Sequence, residues 1–325
     1  MYINPEVKTY IEQMLAAMAD APAPTAPPTL EERRAMFDGA MERITTPARA
    51  VAEQREVQVA GPRGDIRTIV VVPRKTDEPL PVLVWFHGGG TVVLSPDAEL
   101  PAITAAAVEA DCIVVAPAYG LAPENPFPGP LEDAYATFTW VQESADELGG
   151  DADRVAVAGI SGGGYLAAGV CLEAKRLGAK QPVHQFLTVP MIDQAGRSRS
   201  WVLYDWFAGP IGPMAADMDE KGFLYQLAFD DHRRDPRASV VLAADHSDLA
   251  PALVITCELD PLHDEGVAYV AKLRQAGVAV LHLDYDGATH AFPLMGGIAD
   301  HANMVLAQLF GTMRYVFNRE RWTGQ

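Results

Sequence analysis

The sequence predicts an α/β fold: a mostly parallel, eight-stranded sheet with helices on both faces. Three observations predict it. From Arg55 onward, short β-branched runs alternate with longer stretches of helical periodicity, the order of a parallel sheet whose crossovers are helices. A chain of 325 residues with 49% hydrophobic content can bury one large core as a single domain. The alternation breaks over residues 1 to 50, which hold the Pro-rich stretch Asp20 to Thr29, and over roughly residues 193 to 237, rich in Trp, Phe, Met and Gly. Both segments therefore read as additions to the sheet.

In chain order the expected strands run Arg55 to Ala60, Ile66 to Val72, Val82 to His87, Cys112 to Pro117, Arg154 to Gly159, Gln185 to Val189, Ala252 to Cys257 and Val280 to Tyr285. Between and after them, apolar residues recur at three and four positions over Asp97 to Ala110, Leu131 to Leu148, Gly162 to Leu177, Asp264 to Ala276 and Ile298 to Asn318, which predicts the helices.

The formal charge of −18 repels phosphate backbones and anionic lipid, so neither nucleic acid nor a membrane surface is an expected partner. Cys112, Cys171 and Cys257 are widely spaced in apolar runs, not in metal-binding pairs, and read as core residues. No metal site is expected. The first residues carry Glu6 and Glu12 with Lys8, a poor match to a signal peptide, and no run approaches a membrane span, so a cytoplasmic location is expected.

Four strand ends carry the chemistry. The strand Arg154 to Gly159 runs into Gly159-Ile160-Ser161-Gly162-Gly163 and then a helix. A serine on such a turn has a strained backbone, and the flanking glycines let neighbouring segments pass close by. Randomly placed, 27 Gly and 7 Ser in 325 positions would give this pattern about 0.05 times per chain. Ser161 is the candidate nucleophile.

After Val82 to Phe86 comes His87-Gly88-Gly89-Gly90, a backbone that can aim N–H groups at one point. Gly88 and Gly89, with Gly162 after the serine, are the expected oxyanion donors; His87 is expected to fix the loop. A phosphate loop is disfavoured because neither a Lys-Ser/Thr pair nor a spaced dinucleotide fingerprint follows this strand.

Asp260 follows the strand Ala252 to Cys257, and His290 closes the short loop after Val280 to Tyr285. Asp260 is the expected acid and His290 the expected base, with Glu258, Asp264 and Asp284 as alternative carboxylates. Chain order Ser, Asp, His is the order of the strand-turn-helix serine hydrolases. His184, His232, His246, His263, His282 and His301 have no comparable strand-end position.

These segments, with Tyr119 to Glu124, Pro126 to Pro128, Leu131 to Tyr135, Gly159 to Gly164, Asp235 to Ser239, Asp260 to Gly266 and His290 to Phe292, resemble the bacterial hormone-sensitive-lipase-like carboxylesterases over about residues 55 to 315. The resemblance implies an α/β-hydrolase core over 51–192 and 238–325, a helical cap from 1–50 and 193–237, and cleavage of small-molecule esters with short acyl or aryl groups and no cofactor. It also implies relatives that are often homodimers. The chain departs from the family pattern at Ile160, Gly120 and Leu94, which bears on pocket shape and not on the triad.

Within the insertion, Trp201, Trp206, Phe207, Met214, Phe223 and Leu224 are candidate substrate-pocket residues, or simply the contact of cap with core. Amide, carbamate or lactone hydrolysis would use the same triad. A non-catalytic receptor on this fold would be expected to lack the base, and His290 is present.

Overall fold

The computed structural model describes residues 2–20, 28–194, 198–204 and 229–323. It opens with α1 (Pro5–Asp20) and α2 (Leu30–Ile44). Thr29 and Glu32 set the start of α2: the Thr29 hydroxyl accepts from the Glu32 N–H, and the Glu32 carboxylate accepts from the Thr29 N–H. There follow β1 (Glu53–Gly61), β2 (Gly64–Val72), β3 (Leu80–Phe86), α3 (Leu100–Ala110), β4 (Ile113–Pro117), α4 (Gly129–Ser144), β5 (Gly150–Ile160), α5 (Gly162–Leu177), β6 (Gln185–Thr188) and α6 (Arg199–Tyr204). The chain ends with β7 (Ala252–Leu259), α7 (His263–Gln275), β8 (Val280–Thr289) and α8 (Asp300–Thr323).

The eight strands form one sheet in the order β1-β2-β4-β3-β5-β6-β7-β8. β2 is antiparallel to both its neighbours, and from β4 to β8 every pairing is parallel. Successive residues of a strand point to opposite faces, so each strand feeds two cores. Val82, Val84 and Phe86 of β3 pack with α4, α5 and α7 through Phe138, Leu166 and Tyr269. Leu83 and Trp85 pack on the other face with α3 and α8 through Ile103, Leu309 and Met313. Each aliphatic side chain so buried contributes about 1.5–3 kcal/mol, which leaves the carboxyl edge of the sheet free to carry strained loops.

Of the boundaries that differ from expectation, two have a clear physical reason. α3 begins at Leu100, because the Asp97 carboxylate is held by Arg67 at 2.6 and 2.9 Å and Pro101 fixes the first turn. β8 continues through Thr289, where a loop was expected: Cys257 pairs with Tyr285 and Leu259 with Thr289, so β8 advances four positions while β7 advances two. Gly287, at φ 65°, makes this detour. Its N–H donates to Glu258 Oε2 at 2.7 Å, and its carbonyl accepts from the Asn4 N–H at 3.0 Å. Close by in sequence to Asn4, the Glu6 carboxylate accepts from the N–H groups of Asp300 and His301 and so caps the start of α8.

Candidate active site

Ser161 sits between β5 and α5 at φ 55°, ψ −115°, the strained conformation of a sharp strand-to-helix turn. The flanking glycines are steric requirements. A Cβ at Gly159 would collide with the Gly163 carbonyl, and one at Gly163 with the Phe86 carbonyl of the neighbouring strand. The turn is further fixed by Ser161 N–H donating to Thr188 O at 2.9 Å and by Met191 N–H donating to Ser161 O at 3.0 Å.

The register of the sheet then gathers the other groups. Phe86 pairs with Gly159, so the loop after β3 lies beside the elbow. Leu259 pairs with Thr289, so the next residues of β7 and β8, Asp260 and His290, emerge side by side. His290 Nε2 lies 2.9 Å from Ser161 Oγ, and His290 Nδ1 lies 2.8 Å from Asp260 Oδ2. A carboxylate only accepts, so Nδ1 carries the proton and Nε2 is left to accept from the serine hydroxyl. Asp260 is 1% exposed, and its second oxygen accepts from the Leu262 N–H at 2.8 Å.

The alternative carboxylates are committed elsewhere. Glu258 holds Gly287, Asp264 accepts from the Ser200 N–H at 3.0 Å, and Asp284 accepts from the Thr256 hydroxyl at 2.7 Å. His263 lies between Asp264 and Asp284; hydrogen bonding to Asp284 leads the effects that raise it, against burial, to about 9. His87 is buried, which pushes it down to about 4, and Tyr119 stacks on it with ring centroids 4.1 Å apart. A neutral, stacked imidazole whose Nδ1 lies 2.8 Å from Gly88 O braces the loop and is not a base.

One expected oxyanion donor is corrected by the geometry. The Gly88 N–H points into the protein and donates to Glu99 Oε1 at 2.6 Å, so it is already spent. Among the described residues, the N–H groups of Gly89, Gly90 and Gly162 have no hydrogen-bond partner. Gly89 is at φ 92°, and a Cβ on Gly162 would lie 2.8 Å from the Gly90 nitrogen, which sets these backbones against one another beside Ser161. Gly90 therefore replaces Gly88 in the candidate set. Glu99 was missed as well: in sequence it is one acidic residue in the first turn of the helix expected over Asp97 to Ala110, which reads as a surface charge.

Trp201 is half-buried on α6, packs against the core and donates to Glu265 Oε2 at 3.2 Å. Glu265 is buried, which pushes its carboxyl well up, and also accepts from the N–H groups of Ile192 and Asp193. Trp206, Phe207, Met214, Phe223 and Leu224 lie outside the described residues. Arg34 of α2 donates to Val92 O at 2.9 Å and Ala122 O at 3.0 Å while pairing with Glu124, so the N-terminal helices are fastened just behind the glycine loop. Among the described residues no cluster of His, Cys, Asp or Glu could hold a metal ion, and no helix is long and apolar enough to cross a membrane.

Known proteins share this arrangement of chain. The carboxylic ester hydrolase LipN of Mycobacterium tuberculosis is 38% identical over 264 residues, covering 78% of this chain and 69% of that protein. The ethyl acetate hydrolase of Pseudomonas putida is 37% identical over 236 residues, covering 68% and 69%. A metagenomic ester hydrolase from Lake Arreo, solved with a bipyridine phosphonate derivative, superposes with a TM-score of 0.90 at 31% identity over 98% of this chain and 100% of that one. The alpha/beta hydrolase fold family matches residues 83–294, and with these relatives it establishes that the chain belongs to that family, in its hormone-sensitive-lipase-like branch.

Proposed function

We propose that the protein is a serine carboxylesterase that cleaves small-molecule esters with short acyl or aryl groups through an acyl-enzyme. The observation that carries this is the unbroken path from Ser161 Oγ to His290 Nε2 at 2.9 Å and from His290 Nδ1 to Asp260 at 2.8 Å. His290 takes the hydroxyl proton as Ser161 attacks the ester carbonyl, and Asp260 stabilises the imidazolium that forms. The Gly89, Gly90 and Gly162 N–H groups receive the carbonyl oxygen as it becomes an oxyanion. His290 then protonates the leaving alcohol, and water, activated by the same imidazole, releases the acid.

Residues 1–50 and 193–237 act as a cap on the core formed by 51–192 and 238–325. The Arg34 contacts support the first segment's role, and the tie from Trp201 to Glu265 supports the second's. Trp201 bears on the acyl or alcohol side of the pocket and favours compact esters. A cytoplasmic protein with three buried free thiols, working without cofactor, completes the reading.

The test is a p-nitrophenyl ester series from acetate to decanoate, with Ser161→Ala alongside. Short chains are expected to react fastest, and Ser161→Ala is expected to lose at least about 1000-fold in kcat and all labelling by a serine-directed phosphonate. Retained turnover or labelling in Ser161→Ala would remove the assignment; preference for chains beyond about ten carbons would remove the short-chain reading.

A further inference from the structure

Glu99 has no task in the chemistry above, yet it is fully buried against the loop on which that chemistry depends. Both oxygens are used. Oε1 accepts from the Gly88 N–H at 2.6 Å, and Oε2 accepts from Trp85 Nε1 at 2.8 Å. Gly88 is also wedged between Glu99 and the elbow: a Cβ there would stand 3.1 Å from Glu99 Oε1, 3.2 Å from Ile160 O and 3.8 Å from Ser161 Cβ. The carboxylate thus grips the N–H of a residue that also abuts the nucleophile's turn.

We propose that Glu99 is a positioning residue for oxyanion stabilisation: by drawing the Gly88 N–H inward, it fixes the direction in which the next two peptides, with the Gly89 and Gly90 N–H groups, face the reacting carbonyl. The inference rests on the esterase reading and deepens it. Donors of this kind help most when they are aimed before the reaction begins, since no reorganisation is then needed as charge develops. A buried carboxyl is a costly way to fill space. Burial pushes Glu99 up to about 7, and the Gly88 and Trp85 N–H groups pull against that shift. An apolar side chain would fill the same volume but would leave Gly88 free to turn its N–H outward.

Glu99→Gln keeps the shape but offers one acceptor and one amide donor, so it satisfies only one of the two N–H groups and sets a donor against the other. The experiment measures kcat and KM for p-nitrophenyl butyrate, inhibition by a trifluoromethyl ketone that Ser161 would convert to a tetrahedral oxyanion adduct, and thermal melting. In E99Q, kcat is expected to fall about 10- to 100-fold with KM within about twofold, and ketone affinity is expected to weaken by the factor lost in kcat/KM. Adding Trp85→Phe, which removes the opposing indole donor, is expected to recover part of the lost kcat. If E99Q does not fold, E99D, one methylene short, carries the same readouts. A kcat within about twofold of wild type, or a loss confined to KM with ketone affinity unmoved, overturns the positioning role. Wild-type turnover separates the two levels: an inactive wild type sinks the esterase reading and this inference together, whereas an unchanged E99Q in an active enzyme sinks the inference alone.

Discussion

The two ends of the proposed catalytic path are held by different physics. At the elbow, Ser161 is fixed by backbone crowding: Gly159 and Gly163 stand where any Cβ would strike a carbonyl, and the strained φ of 55° has no alternative within the surrounding strands. At the ends of β7 and β8, the geometry is held by side chains. Glu258 grips Gly287, Asp260 grips Leu262, and His263 sits between Asp264 and Asp284. Crowding tolerates no substitution and fails with the fold. Hydrogen bonding permits substitutions that keep the fold and lose the function.

That contrast is sharpest at Asp260. Asp260→Asn keeps the shape and the bond to Leu262 but offers His290 Nδ1 an amide, so kcat is expected to drop by about 10⁴-fold with the melting temperature only a few degrees lower. Kinetics and a thermal melt on one preparation check this; an unfolded variant would place Asp260 in the same class as the elbow. Gly163→Ala is expected to do the reverse, losing about 3 kcal/mol or more of stability because the Cβ must displace the Phe86 carbonyl. A denaturant melt showing wild-type stability would break the crowding argument.

A milder effect tests the β7 to β8 end through pH. His263 is raised to about 9 chiefly by Asp284, so its contribution is complete below the unfolded value of about 6.5 and is lost as pH rises to about 9. The wild type is therefore expected to lose on the order of 1–3 kcal/mol between pH 6 and 10 that His263→Gln does not lose, read from urea midpoints at the two pH values. Equal slopes for both proteins would remove the His263 and Asp284 pair from the accounting. The smallest change belongs to neither end: Gly311 is exposed in α8 with nothing near its missing Cβ, so Gly311→Ala is expected to gain about 0.5–1 kcal/mol.

The same contrast explains what was legible in the sequence. Steric demands leave glycine in the text, so the elbow was readable in order and position, and all eight strands were readable from their β-branched runs. Hydrogen-bond networks leave no such mark. Glu258, Asp264 and Asp284 were open alternatives to Asp260 because only the pairing of Leu259 with Thr289 brings one carboxylate beside His290. The glycine run identified the loop but not which N–H groups face outward, since that depends on Glu99, twelve residues after His87 and buried by the approach of α3.

The ties from Asn4 to Gly287 and from Glu6 to the start of α8 have a consequence for biosynthesis. Glu6 and its partner Asp300 are 294 positions apart, so Glu6 leaves the ribosome well before Asp300 is made. The detour that presents His290 is therefore closed by segments made far apart in time, a non-local contact of the kind that slows folding. A nascent chain can assemble most of its sheet and its elbow while the imidazole still lacks its final seat.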